Sequence, residues 1–233
     1  MPRLARVIAV DVPHHVTQRG NARRQVFDSD TDYMVYLDLL SQHSRLNHLP
    51  IGAYCLMPNH VHLIVTPSDP DALRLTLRDT HGRYAAYVNA RRSATGHVWQ
   101  GRYYSCPMDL GHHYAALRYV ETNPVRGGLV DAAEDYRWSS AAEHCGGPRG
   151  RLELMARDDG WTAAEWRAYL AEVDPVIDRE IRGATHTGRP LGSGDFVRGL
   201  EIALGRRLAP QPGGRPSKNA AVARQQVLDW KAL

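Results

Sequence analysis

The sequence predicts an α+β domain in which helices pack on an antiparallel sheet, followed by a small helical appendage and a basic tail. Short β-branched runs and amphipathic helical stretches alternate over about the first 125 residues, in the order strand, helix, hairpin, helix, strand, helix. Residues 51–57 and 60–66 are apolar runs separated only by Pro58-Asn59, which is typical of an antiparallel hairpin. With 43% hydrophobic and 23% charged residues, the 233-residue chain has enough apolar side chains for a core.

The first predicted elements follow from hydrophobic spacing. Residues 14–19 (HHVTQR) alternate as a strand does, and the basic connection RGNARRQ follows. A helix should begin near Ser29 or Asp30, because apolar side chains then recur at helical spacing. Residues 60–66 (HVHLIVT) are apolar on both faces beyond Val61, which predicts a central strand. The helical stripe consists of Tyr33, Tyr36, Leu37 and Leu40.

The later elements are marked by caps and by proline. Ser68-Asp69-Pro70 should begin a helix that runs to about residue 90, and residues 103–107 form a short strand. A helix is expected from Gly111 to Asn123, ended by Pro124, since a residue before proline is forced out of helical geometry. Residues 145–160 resemble a linker, and the capping box of Thr162 and Glu165 should begin a helix that ends near residue 173.

Composition limits the environment and the class of protein. The three cysteines have no metal-ligand spacing, and the N-terminus has no apolar run of signal-peptide length. No stretch approaches the roughly 18 apolar residues that a membrane span needs. We therefore expect a protein of the reducing cytoplasm with no membrane role.

Positive charge is concentrated late in the chain. The formal net charge is +4, but residues 182–231 contain nine basic and three acidic side chains. Of the 29 basic residues only Lys218 and Lys231 are lysines. Arginine suits bidentate contact with phosphate, although GC-rich codon usage produces the same bias. The segment APQPGGRPSK predicts an extended basic arm that does not join the core.

Four polar side chains could form a site. His60 and His62 flank Val61 on a predicted strand, so both imidazoles face the same way and could bind one cation. Such a pair is more often two hydrogen-bonded histidines on a half-buried strand. Tyr119 and Asn123 lie one turn apart on the predicted helix and present a phenol and an amide oxygen about 40° from each other. Each also has an ordinary explanation, as a core-margin tyrosine and as a helix C-terminal residue.

Several blocks of sequence carry a family resemblance. The blocks HHVTQRGNARRQVF, YCLMPNHVHLIV, GHVWQGRYYSC, LRYVETNPVRGGLV and YRWSSAAEH, in this order, resemble the REP-associated tyrosine transposases of the single-tyrosine HUH superfamily. The resemblance is strong over residues 1–145, and THTGRPLGSGDFVRGLE and GRRLAPQPGGRPSK resemble the family's C-terminal segment and basic tail. It implies a ferredoxin-like catalytic domain (1–145), a helical appendage (146–208) and a basic tail (209–233).

The resemblance also implies roles for individual residues. His60 and His62 match the metal-binding pair, Asn123 the third ligand, and Tyr119 the nucleophile. The implied cofactor is Mg²⁺ or Mn²⁺, between which the sequence does not choose. Two positions depart from the family pattern: Gly127 replaces a common alanine, and the tail is less densely basic. The candidate DNA-binding residues are Arg19, Arg23, Arg24, Arg102, Arg126, Arg206, Arg207, Arg215 and Lys218.

The implied activity is cleavage and rejoining of single-stranded DNA at imperfect-palindrome hairpins through a 5′-phosphotyrosine, in the cytoplasm near the nucleoid. Two alternatives remain open. In the first, the protein binds DNA hairpins without catalysis and Tyr119 stacks on a base. In the second, it is a hydrolytic nuclease in which the metal activates water. The oligomeric state is open as well.

Overall fold

Four strands form one antiparallel sheet at the centre of the protein. The computed structural model describes residues 5–157 and 160–209, so most of the predicted tail lies outside it. The strands are β1 (His14–Arg19), β2 (Ile51–Met57), β3 (His60–Val65) and β4 (Tyr104–Pro107). Their order in the sheet is β2-β3-β1-β4, so the first and third strands of the sequence occupy the middle. This is the strand order of a ferredoxin-like sheet.

The predicted hairpin and the predicted central strand are both confirmed. Met57 of β2 pairs with His60 of β3 across the turn, and β3 pairs with β1 along its other edge. All residues of β3 after His60 are buried. The backbone of β3 pairs with a neighbouring strand on each edge. Its side chains are buried in the core that the sheet shares with the helices, which explains why it can be apolar on both faces. The two histidines therefore lie on a central strand.

Helices accompany the sheet and confirm the α+β class. Helix α1 (Asp30–Leu46) packs against α2 (Ala72–Arg91), and their buried side chains share one core with the sheet. Helix α3 (Leu110–Glu121) lies against β2 and β3. The remaining helices are α4 (Asn123–Arg126), α5 (Ala141–His144), α6 (Ala163–Ala171), α7 (Pro175–Thr187) and α8 (Gly194–Leu204). None of the helices in the described ranges is long and apolar enough to cross a membrane.

The end of α3 differs from the predicted helix. We expected one helix to continue to Asn123, but α3 ends at Glu121, Thr122 caps it, and Asn123 begins the separate helix α4. Pro124 causes the break, since it has no N–H and its ring crowds the carbonyl four residues earlier. The helix therefore ends two residues earlier than the sequence indicated. Pro124 itself lies in the first turn of α4, a position where proline is tolerated.

The predicted linker is attached to the sheet domain. Residues 146–157 contain no helix or strand, yet the Met155 N–H donates to the carbonyl of Ile51 over 2.8 Å. Leu152 is buried, and Arg151 pairs with Asp38 of α1 at 3.0 Å. The segment therefore runs along the domain instead of spacing two independent units.

The helices beyond residue 160 also pack on this domain. The predicted capping box is present at α6, where Thr162 and Glu165 bond each other's backbone N–H groups. Trp166 of α6 is fully buried and donates its indole N–H to Glu121 of α3 over 2.9 Å. Helix α7 packs against α3, β1 and β4. The sequence predicted a helical appendage here, but not that one of its helices would lie beside the histidine pair.

Candidate functional site

The histidine pair faces a cavity of about 730 Å³ between the sheet, α3 and α7. Side chains alternate along β3, so His60 and His62 extend from the same face of the sheet, as predicted. Their ring centroids are 4.9 Å apart, with the planes at 75°. His60 is partly exposed to the cavity and His62 is buried at its base.

Tyr119 comes from α3 to the same cavity. Its ring meets His62 edge-on, with the centroids 5.8 Å apart and the planes at 84°. It meets His15 of β1 in a similar way, at 5.5 Å and 81°. The Tyr119 residue is only 4% exposed. The structure thus brings the predicted nucleophile to the predicted metal-binding pair within one chain.

Asn123 lines the cavity too, although it lies beyond the end of α3. Its side-chain Nδ2 donates to the carbonyl of Tyr119 over 2.9 Å and, more weakly, to that of Val120 over 3.4 Å. These bonds occupy Nδ2, so Oδ1 is the atom of the amide that could coordinate a cation. The four predicted residues therefore share one cavity, and Asn123 reaches it from the junction of α3 and α4.

Hydrogen bonds hold each histidine through Nδ1. His60 Nδ1 lies 2.6 Å from the side-chain oxygen of Asn59. His62 Nδ1 lies 2.8 Å from Nε2 of His15, and the two rings are nearly parallel, at 3°. His15 Nδ1 in turn lies 2.7 Å from the hydroxyl of Thr185 on α7. In both members of the pair, Nε2 remains for a ligand.

The environment keeps these imidazoles neutral. Burial, with a smaller effect of the Arg19 charge, lowers the pKa of His60 to about 4. Burial also lowers the pKa of His62 well below its ordinary value, and the neighbouring His60, His15 and arginines act in the same direction. Burial lowers the pKa of His15 to about 3. A neutral imidazole offers a nitrogen lone pair, so the pair is ready to bind a cation at neutral pH.

The donor set fits a divalent cation, although no Asp or Glu of the described residues lines the cavity. Within residues 5–157 and 160–209, no group of three or more His, Cys, Asp or Glu side chains is arranged to hold a metal. The fit depends instead on the two Nε2 atoms and the amide oxygen of Asn123. A set of two nitrogens and one neutral oxygen leaves positions for water or for a substrate phosphate.

The predicted DNA-binding arginines have different surroundings. Arg19 and Arg23 line the cavity, whereas Arg24 is exposed outside it. Arg102 lies in a smaller neighbouring depression beside Tyr104.

The remaining predicted arginines are more distant or already bonded. Arg126 is packed on Tyr119, as its guanidinium carbon lies 4.3 Å from the ring centroid, and it also pairs with Asp178 at 3.5 Å. Arg206 donates to the carbonyls of Ala5 and Arg6, so it anchors the N-terminal segment. Arg207 is exposed, and Arg215 and Lys218 lie outside the described residues.

Sequence reasoning missed the contribution of α7. Arg179, Arg182, Thr185 and His186 all line the cavity from this helix. Nothing in the local sequence marks them, because the contact with β1 joins positions 170 residues apart. His15 could have been found, since alternation along β1 places it on the same face as Thr17, which pairs with His62.

Comparison with known proteins identifies the class. Residues 9–123 match the family model of IS200-like transposases, and this part of the chain contains the whole sheet and α3. The fold is that of a REP-associated tyrosine transposase. A solved structure of such a protein bound to a REP hairpin is similar to 69% of this chain and 98% of its own, at 18% identity and a TM-score of 0.54.

A second solved structure, a putative transposase from Deinococcus radiodurans R1, matches 52% of this chain and 97% of its own, at 17% identity and a TM-score of 0.37. No curated protein matches the chain.

Proposed function

We propose that this protein cuts and rejoins single-stranded DNA at hairpins through a covalent bond to Tyr119. The observation that supports this most directly is the edge contact of Tyr119 with His62, in a cavity that His60 and Asn123 also line. A nucleophile and a cation site must lie this close if both are to act on one phosphodiester.

The chemistry follows from the groups that face the cavity. A divalent cation bound by His60, His62 and Asn123 would offset the negative charge that develops on the scissile phosphate. Tyr119 Oη loses its proton and attacks the phosphorus, and the P–O3′ bond breaks. The 3′ oxygen takes up a proton and leaves as a free hydroxyl, while the 5′ phosphate stays on Tyr119. Because a phosphodiester is kept, another 3′-hydroxyl can reverse the step without an added energy source.

The charge around the cavity suits a nucleic-acid strand. Arg19 and Arg23 line the cavity at the end of β1 and just beyond it, and Arg179 and Arg182 line it from α7. Arginines on both sides can contact successive phosphates of a strand whose scissile bond lies at Tyr119. The hairpin substrate is supported by the similar solved protein, which was bound to a REP hairpin.

The stacking alternative is less well supported by the surroundings of Tyr119. A base needs access to the face of the ring, but the residue is 4% exposed and the Arg126 guanidinium covers one face. The hydrolytic alternative needs no tyrosine in the cavity. Neither alternative accounts for a phenol held against two histidines.

The decisive experiment is a search for the covalent adduct. The full-length protein is incubated with labelled single-stranded hairpin DNA and Mn²⁺, and we expect a denaturant-stable adduct that Tyr119→Phe abolishes. Tyr114→Phe is the matched control, because Tyr114 lies on the same helix but packs near His113 and Trp161. Cleavage that leaves no adduct would favour the hydrolytic nuclease, and binding without cleavage would favour the non-catalytic protein.

A further inference from the structure

We infer that His15 and Thr185 are positioning residues which hold His62 in the tautomer that can bind a cation, so that α7 completes the metal site. The inference concerns the same cavity as the proposed function and rests on it for the identity of the ligand. Its test does not depend on DNA cleavage.

The direction of each hydrogen bond can be worked out from Thr185. A threonine hydroxyl has a single hydrogen, and that of Thr185 donates to the carbonyl of Ile181 one turn earlier, over 2.7 Å. Toward His15 the hydroxyl can then only accept. The 2.7 Å contact therefore requires that His15 carries its proton on Nδ1.

The proton on His15 determines the state of His62. A neutral imidazole protonated on Nδ1 has a lone pair on Nε2, so His15 Nε2 accepts a hydrogen bond. The 2.8 Å contact with His62 Nδ1 then requires a proton on that nitrogen. The lone pair of His62 is thereby left on Nε2, the atom available to a cation.

Burial of the three residues prevents water from replacing these hydrogen bonds. His15 is 1% exposed, Thr185 3% and His62 5%, so water has little access to replace a missing partner. A buried donor or acceptor without a hydrogen-bond partner is energetically costly, and this cost favours one tautomer strongly. Hydrogen bonds to the second nitrogen of a ligating histidine typically orient the ring and fix its tautomer.

His60 reaches the same state by a different route. Its Nδ1 lies 2.6 Å from the Oδ1 of Asn59, an atom that only accepts, so Nδ1 carries the proton and Nε2 the lone pair. Asn59 is the adjacent residue in the turn before β3, whereas Thr185 comes from a helix outside the matched residues 9–123. The two ligands thus depend on separate parts of the chain, and only His62 depends on α7.

The test replaces the hydroxyl of Thr185 without changing the shape of the side chain. Thr185→Val removes the acceptor, and Thr185→Ser retains it. Thr187→Val is the matched control, because the Thr187 hydroxyl also bonds carbonyls of α7 but the residue lies outside the cavity lining. Two quantities are measured: the ring tautomer of His62 by ¹⁵N NMR without metal, and the Mn²⁺ dissociation constant by electron paramagnetic resonance.

We expect wild type, Thr185→Ser and Thr187→Val to hold His62 protonated on Nδ1 and to bind Mn²⁺ alike. Thr185→Val should populate the other His62 tautomer and bind Mn²⁺ about tenfold or more weakly, as for other groups that orient a metal ligand. Circular dichroism checks that each variant is folded. If Thr185→Val does not fold, the same two measurements are made on Thr185→Ala.

Two results would overturn the inference: wild-type His62 protonated on Nε2, or unchanged tautomer and Mn²⁺ affinity in the folded variant without the hydroxyl. A wild-type protein with the expected tautomer and Mn²⁺ binding but no covalent adduct would instead contradict the proposed function alone.

Discussion

Arg126 and Tyr119 are joined twice: the guanidinium lies over the phenol ring at 4.3 Å and also donates to the backbone carbonyl of the same tyrosine. Arg126 bonds the Thr122 hydroxyl and pairs with Asp178 of α7 as well. One side chain therefore ties the tyrosine, the break after α3, and α7 together. Its burial lowers the pKa of the guanidinium, with partial compensation from Asp178.

We predict that Arg126→Met slows adduct formation by about tenfold, equivalent to about 1.4 kcal/mol of activation free energy. The substitution removes the guanidinium that holds the Tyr119 ring and the end of α3 in position. Hairpin affinity should change less than the rate. The control is Arg137→Met, which removes an exposed arginine from over the Trp138 ring, at 4.4 Å. An equal loss in both variants, measured by single-turnover kinetics, would assign the effect to general loosening.

We predict that His60→Ala and His62→Ala each reduce metal-dependent cleavage by at least about a hundredfold, or roughly 2.7 kcal/mol of transition-state stabilisation. Asn123→Ala should be milder, because water or phosphate can take the place of its oxygen. Cleavage is followed on labelled hairpin DNA over a Mn²⁺ titration. Undiminished wild-type activity in EDTA would contradict a metal role for the pair.

Buried histidines should make the fold sensitive to acid. Burial lowers the pKa of His81 to about 3, where it contacts the Tyr36 hydroxyl at 3.0 Å. Below the unfolded pKa of about 6.5, His81 binds a proton in the unfolded chain but not in the folded chain. The free energy of unfolding therefore decreases as the pH is lowered. From pH 7 to pH 5 this one group should cost about 2 kcal/mol.

The variant His81→Gln should show a correspondingly smaller decrease over that range, measured by urea unfolding in EDTA. His97→Gln is the control, since His97 is exposed. The same pH dependence in wild type and His81→Gln would contradict the prediction.

The basic tail is predicted to contact DNA. Arg206 and Leu208 pack with the N-terminal segment, so a deletion should begin after residue 209 to spare the fold. Removing residues 210–233 takes away the basic residues Arg215, Lys218, Arg224 and Lys231. If two or three phosphate contacts are lost, the slope of log K against log salt should flatten by roughly 1.5 to 2.5. An unchanged slope would leave DNA binding to Arg19, Arg23 and the arginines of α7.

Local pattern predicted the strands, the helices and which residues share a face. Alternation around Val61 placed two histidines on one face, and helical spacing placed Tyr119 and Asn123 together on one stripe of the helix, whereas the roles of these residues were implied by the family resemblance. The break at Thr122 was not predicted, because the helical spacing of side chains continues through Asn123. Pro124 disturbs the helix further back, since its ring crowds the carbonyl four residues earlier. Thr185 was beyond prediction, since its partner is 170 positions away and no local pattern specifies such a contact.

The location of Tyr119 and the histidine pair on a single polypeptide has a kinetic consequence. If each copy contains its own nucleophile and its own ligands, two inactive variants such as Tyr119→Phe and His62→Ala cannot restore cleavage when mixed. The rate per molecule should also stay constant on dilution, as long as the DNA remains bound. The reaction is then first order in protein, and a lone copy at one hairpin can complete it.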